Sequence, residues 1–244
     1  MAATEALESL YVEAEQQPPD TEPPALELVD VFKIFRAGPT ETVALRGLDL
    51  TVEPREMVAV AGPSGSGKST MLSIAAAMDV PSAGDVRIDG RSLGRLDEAE
   101  LARIRGGEIA VVFQSDNLWP TLTARENVAA CARLAGLDRN PSEAALETLA
   151  IFGLEKRAEN TPDRLSGGEQ QRVAVAAAAA RRPRLVLADE PTGELDAENE
   201  ALVLGTLRRL RDSYQAAVVL ITHSPQVAAA CDRVVELADG KVVG

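Results

Sequence analysis

The polar and apolar positions of this chain change rhythm three times. Residues 1–24 hold six acidic side chains and no Lys or Arg, and they end in QQPPDTEPP, whose prolines disfavour regular structure. The expectation is a disordered acidic tail. One alternative stands beside it: Leu7, Leu10 and Tyr11 have the spacing of a short partner-binding helix. From residue 25 the apolar positions come in short alternating or β-branched runs, LELVDVFKIF, VALRGLDLTV and MVAVAG, bounded by Gly and Pro, and these predict strands. The third run leads into a glycine-rich loop and a helix-forming stretch, KSTMLSIAAAM.

After VRIDG, LDEAELARIR predicts a helix and EIAVVFQ a strand. The middle of the chain is mostly helical in period, through TARENVAACARLAG, SEAALETLAIFG and GEQQRVAVAAAAARR. The last third alternates again: LVLADE strand, AENEALVLGTLRRLRD helix, AAVVLITH strand, SPQVAAAC helix, RVVELAD strand. Apolar strands alternating with amphipathic helices predict an α/β fold with a largely parallel sheet covered on both faces. On this reading residues 25–244 form one folded unit, and the helical middle, about residues 115–180, is an inserted subdomain.

Composition narrows the class. With 45% hydrophobic residues in 244, the chain can bury the core of one large domain or of two closely joined subdomains. No apolar run approaches the roughly 18 to 20 residues that cross a bilayer, and the longest, residues 173–180, is mostly Ala. The N-terminus lacks the basic start and apolar centre of a signal peptide, so the protein is expected to stay in the compartment where it is made. A net charge of −13 repels polyphosphate backbones at long range and makes nucleic acid a disfavoured partner. Cys131 and Cys231 stand apart from each other and from any C-x-x-C spacing, so both are expected to be buried small residues rather than zinc ligands or a disulfide.

Two motifs carry phosphate chemistry. GPSGSGKST places Gly62, Pro63, Ser64, Gly65, Ser66, Gly67, Lys68, Ser69 and Thr70 between a predicted strand and a predicted helix, in the pattern G-x-x-x-x-G-K-[ST]. Glycines there let several N–H groups converge on one anion, and the helix N-terminus adds partial positive charge. Lys68 can reach β- and γ-phosphates, and the Ser69 hydroxyl can ligate Mg²⁺. LVLADE ends a buried strand in adjacent acids whose side chains should diverge: Asp189 suits the Mg²⁺ shell, as in a Walker B motif, and Glu190 suits polarising an attacking water.

LSGGEQQR, residues 165–172, is the most specific stretch of the chain. With GPSGSGKST, the glutamine of VVFQ and LADEPTGELD, it closely resembles the ATP-binding cassette (ABC) family of transport ATPases over about residues 26–242. The resemblance implies a P-loop NTPase (RecA-like) core, an antiparallel β subdomain and an inserted α-helical signature subdomain. It implies ATP and Mg²⁺ bound between two copies of the chain arranged head to tail. The signature loop of one copy, here Ser166, Gly167 and Gly168, would close on the γ-phosphate held by the other. Gln114 matches the glutamine that reaches Mg²⁺ and the water and senses the transporter subunit, and Asp196 matches the aspartate that links the two sites. Phe35 lies where the family stacks an aromatic on adenine, with a core Phe as the alternative.

His223, the only histidine, could be a bystander by composition alone. It follows the apolar strand VVLIT, the position of the family's switch histidine, which implies contact with the γ-phosphate. FQSDNLWPTLTARENV is further similar to the subgroup serving lipoprotein-release, macrolide-export and cell-division transporters, in which the ATPase drives a membrane subunit. Such a protein would sit in the cytoplasm, on the inner face of the cell membrane, held there by an integral-membrane permease docking near Gln114 and Trp119. Asp116 and Trp119 depart from the subgroup's pattern. Trp119 either lines that docking groove or is a core residue. A second departure puts Ala at positions 177 and 179, where Arg and Leu are common, and should thin the packing behind the signature helix. Two other readings stand beside the transport ATPase: the same chemistry in DNA repair or translation, and a non-hydrolysing regulatory clamp, which the intact Lys68, Asp189, Glu190 and His223 argue against.

Overall fold

The computed structural model describes residues 22–38, 40–136 and 140–243, and it divides the strands between two sheets. The expected tail lies outside the described residues except for 22–24, where Glu22 pairs with Arg184. β1 (Leu26–Ala37) and β2 (Thr40–Val52) form a long antiparallel pair from Leu26 opposite Val52 to Ala37 opposite Thr40. β3 (Met57–Ala61) leaves that layer for the second sheet and leads into α1 (Lys68–Ala75). β4 (Ala83–Ile88) then returns to pair with β1, and β5 (Arg91–Ser92) closes the small sheet in the order β2-β1-β4-β5. This is the antiparallel β layer the resemblance implied.

The second sheet adds β6 (Ile109–Val112), β7 (Leu185–Asp189), β8 (Ala217–Ile221), β9 (Arg233–Ala238) and the short β10 (Lys241–Val242) in the order β10-β9-β3-β8-β7-β6. All its pairs are parallel except β9 with β10. Alternation along one strand explains the burial on both faces. Leu185 and Leu187 enter the core that β1, β2, β4 and α1 cover, whereas Val186 and Ala188 enter the core on the opposite face.

α2 (Glu98–Arg103) is shorter than its sequence suggests: the chain passes at Ile104 into a π turn that runs to Glu108. Gly106 and Gly107 sit in that turn, and Arg181 anchors it by donating to the carbonyls of Arg105 and Gly106. The remaining helices cover the opposite face: α3 (Ala124–Leu134), α4 (Pro141–Ile151), α5 (Gly167–Ala179), α6 (Ala197–Tyr214) and α7 (Pro225–Ala229). Their starts are written locally. Thr123 with Glu126 and Ser166 with Glu169 form reciprocal capping boxes, and Asn140, Asp196 and Ser224 accept from first-turn N–H groups.

α3, α4 and α5 pack on one another, and α5 packs on α6, in one buried cluster with the sheet face. Of the two departing alanines, Ala179 lines a cavity of about 220 Å³ together with Ala180, Thr148, Ile151 and Tyr214, and Ala177 does not. Cys131 and Cys231 are half-buried rather than fully buried, and burial raises both thiols, Cys231 to about 11. No helix among the described residues is long and apolar enough to cross a membrane.

Candidate functional site

Four neighbouring strands, β3, β8, β7 and β6, each deliver part of the predicted site at their C-terminal ends. From β3 comes the glycine loop. Gly67, the residue before α1, has φ 102°, and no side chain caps the helix behind it. Glycine is required twice. A Cβ on Gly62 would stand 2.1 Å from the Leu237 carbonyl oxygen, and one on Gly67 would stand 2.6 Å from that of Ala44. The loop is therefore pressed against β9 and β2 and leaves an uncapped helix N-terminus, the ready partner of an anion. Lys68 folds back over it, its Nζ donating to the carbonyls of Gly62 (2.8 Å) and Pro63 (2.9 Å). That ammonium belongs to a residue only 7% exposed, and the buried Ser66 hydroxyl has no hydrogen-bond partner. Among the described residues the ammonium is thus held by neutral carbonyls and the hydroxyl by nothing, and both suit an incoming phosphate.

β7 supplies the two acids, and their side chains part as expected. Asp189 stands beside Ser69 at the start of α1, near enough for that side chain to favour its ionised form. Burial, then the neighbouring Glu190 carboxylate, raises the Asp189 carboxyl above its ordinary range, although Ser69 and Lys68 pull it down. At Glu190 the strand stops, because φ is 46°; its N–H donates to the Ile221 carbonyl at 3.0 Å. Its carboxylate Oε1 meets His223 Nε2 at 3.0 Å across the gap to β8. The lone histidine thus stands against the candidate base.

Gln114, just past β6, reaches the same corner. Its Nε2 donates to Glu194 Oε1 at 3.3 Å. A Cβ on Gly193 would lie 3.2 Å from that nitrogen and 3.3 Å from Glu190 Oε2, so the glycine leaves the space into which both side chains come. Glu194 was not among the predicted site residues; it is the variable position of PTGELD, and no spacing rule marks it. Gln171 was missed too. From α5 its Nε2 donates to the Phe113 carbonyl at 2.7 Å, bracing the backbone just before Gln114.

Ser166, Gly167 and Gly168 lie elsewhere. Ser166 and Glu169 cap each other, Gly167 packs on Leu195, and Gly168 packs so tightly on Asn199 that a Cβ would stand 2.2 Å from its Oδ1. Asp196 caps α6 by accepting from Asn199 N at 2.8 Å. The closest packing of Gly167 and Gly168 thus runs to α6 and its approach, while the hydrogen bonds of Ser166 stay within its own capping box, and among the described residues none of these reaches the glycine loop of the same chain. Phe35 is 44% exposed, with Lys33 Nζ 5.1 Å from its ring centroid, which removes the core alternative. Trp119 is likewise no core residue, being 49% exposed. Its loop is held by Asn127, a 1% exposed side chain that accepts from Trp119 N (2.8 Å) and donates to the carbonyls of Trp119, Leu122 and Thr123. A buried polar residue on the apolar face of TARENVAACARLAG was the available sign of that role.

A parallel sheet, a glycine loop wrapped on a helix N-terminus and strand-end acids beside it define a P-loop NTPase core. Comparison with known proteins carries the assignment to a family. The family model described as ABC transporter matches residues 45–193. The chain is 44% identical over 220 residues to the lipoprotein-releasing system ATP-binding protein LolD 1 of Rhodospirillum rubrum, covering 90% of this chain and 97% of that protein. It is 43% identical over 221 residues to the macrolide export ATP-binding/permease protein MacB of Marinobacter nauticus, of which it spans only 34%. A solved dimer of an ATP-binding cassette in a post-hydrolysis state, bound to ADP and Pi, matches with a TM-score of 0.80 at 39% identity, over 90% of this chain and 97% of that one. The chain belongs to the ABC transporter family.

Proposed function

We propose that this chain is the ATP-hydrolysing subunit of a transporter or mechanotransmission system, and that it closes as a head-to-tail dimer on ATP and drives a separate membrane permease. The observation that carries the reading is the Glu190–His223 contact of 3.0 Å beside the Asp189–Ser69 pair and the uncapped start of α1. The names of the lipoprotein-releasing and macrolide-export relatives support it, as does the dimeric solved cassette.

The residues present fit Mg²⁺. Asp189 is a half-buried acid whose carboxyl is raised by burial and by Glu190, a charge that a cation would offset, and Ser69, Asp189 and Gln114 are the side chains that would hold the ion. Its remaining ligands would come from phosphate and water. When bound it supplies positive charge to the β- and γ-phosphates.

ATP enters with its phosphates against the N–H groups of residues 62–70. Lys68 exchanges its two loop carbonyls for phosphate oxygens, and Phe35 offers its ring to adenine. Glu190 takes a proton from the water whose oxygen attacks the γ-phosphorus, while the bond to the β,γ-bridging oxygen breaks and ADP leaves. His223 keeps the Glu190 carboxylate in place and presents its imidazole to the γ-phosphate. The receptor on the far side of that phosphate is Ser166, Gly167 and Gly168 of a second copy, and Asp196 links the two sites. The exposed Trp119 and the loop from Gln114 form the face that receives the permease, which places the protein on the inner side of the cell membrane. Residues 25–244 are the cassette, with the helical subdomain over about 115–180 and the acidic tail before it.

Glu190→Gln tests the reading. Hydrolysis should fall about 10²- to 10³-fold while ATP still binds, and light scattering should show a dimer accumulating on ATP. Hydrolysis at the parent rate overturns the assignment of Glu190.

A further inference from the structure

Gln114 is held from two directions. Its backbone is braced by Asn117, whose Nδ2 donates to the Phe113 carbonyl at 2.7 Å and whose Oδ1 accepts from Phe113 N at 2.8 Å, and by Gln171 on the same carbonyl. Among the described residues its side-chain amide is hydrogen-bonded by Glu194, through Nε2 to Oε1 at 3.3 Å. A glutamine amide has a donating end and an accepting end of nearly equal shape, and in an exposed cleft either can face inward. An ionised carboxylate only accepts. Facing Glu194, the amide must present its NH₂, which leaves Oε1, the end able to ligate a cation or accept from water, for the nucleotide side.

We propose that Glu194 is a positioning residue that sets the orientation of the Gln114 amide. The proposal rests on the reading that Gln114 faces the metal and the attacking water. The neighbouring Gly193 belongs to the arrangement, because a Cβ there would come within 3.2 Å of Gln114 Nε2. A Glu at the variable position of PTGELD thus does for Gln114 what a carboxylate does for a metal-bound histidine: it selects which atom is offered.

The test is a double-mutant cycle over Gln114→Ala and Glu194→Ala, with Glu194→Gln as a third single variant. It is read by Mn²⁺ half-saturation in electron paramagnetic resonance with a non-hydrolysable ATP analogue, and by kcat and KM for ATP. Glu194→Ala should raise the Mn²⁺ half-saturation about threefold to tenfold and lower kcat by a similar factor. KM for ATP should change less than about twofold, since the phosphate loop is untouched. Glu194→Gln should behave like Glu194→Ala, because an amide partner accepts either orientation of Gln114. In the Gln114→Ala background Glu194→Ala should add nothing. Unchanged Mn²⁺ binding in Glu194→Ala, or effects that multiply in the double variant, overturn the proposal alone. If Gln114→Ala itself leaves Mn²⁺ binding and kcat at parent values, the reading of Gln114 falls and takes the proposal with it.

Discussion

α1 and α5 both begin in a run of glycine and serine, yet their N-termini are built to opposite plans. The start of α1 has a left-handed Gly67, no capping side chain and no acid in its first turn. The start of α5 is closed by the Ser166–Glu169 capping box, and Arg157 hydrogen-bonds Glu169 at 2.7 Å and, with the Ser166 N–H, keeps its carboxyl below the usual range. An uncapped helix start is a standing vacancy for an anion, whereas a capped one is already satisfied. The comparison teaches which half of the site is complete in one chain. The glycine loop waits for phosphate beside its own acids, while the signature is held rigid against α6, with Ser166 and Gly167 exposed. A rigid, exposed start suits a surface that docks on another copy's nucleotide.

The largest effect should come from the open terminus. Lys68→Ala removes the one ammonium folded over the loop and should weaken binding of a fluorescent ATP analogue about 100-fold or more, the scale of two charge-assisted hydrogen bonds. Parent affinity in that variant would mean that the loop binds phosphate by its backbone alone. His223→Ala should come next, binding ATP within about threefold of the parent and hydrolysing it about 100-fold more slowly, in a single-turnover assay. Normal turnover would reduce the 3.0 Å contact with Glu190 to packing.

Ser166→Ala sharpens the contrast most directly. It should cost about 1 kcal/mol of stability, the worth of an N-cap, seen as a small fall in thermal midpoint. It should leave ATP binding to the single chain intact and slow hydrolysis. Mixed with Lys68→Ala protein it should recover activity, because a mixed dimer holds one sound glycine loop facing one sound signature. Absence of recovery on mixing breaks the head-to-tail arrangement.

What the sequence made legible follows the same divide. The strands of the parallel sheet were readable because LVLAD and AVVLI are apolar on both faces, and the glycine loop because its residues are contiguous and its backbone geometry admits few substitutes. The partition into two sheets was legible only through the family resemblance and not from the pattern of apolar positions, since β1 reaches β4 across a long separation and Asp85 and Arg87 interrupt the apolar character of that strand. Glu194 and Gln171 were hidden for a related reason: each serves an atom far along the chain, 80 residues away for Gln114 and 58 for Phe113. His223 was read from its neighbours rather than from its own type, and only the contact with Glu190 gives it a physical task.

The smallest effect lies behind the closed terminus. α5 ends in buried alanines, and the cavity of about 220 Å³ beside Ala179 is space that a larger side chain can enter. Ala179→Leu should bury about three further carbons, worth at most about 2 kcal/mol before ordering and strain are subtracted. A rise of about 2–4 °C in thermal midpoint is expected for a chain of this size. If the midpoint rises while hydrolysis is unchanged, the rigidity of the signature comes from its cap and from Asn199, and packing behind it is spare. If hydrolysis falls as stability rises, the looseness beside Ala179 is used when the two copies close, and the two helix starts differ in motion as well as in charge.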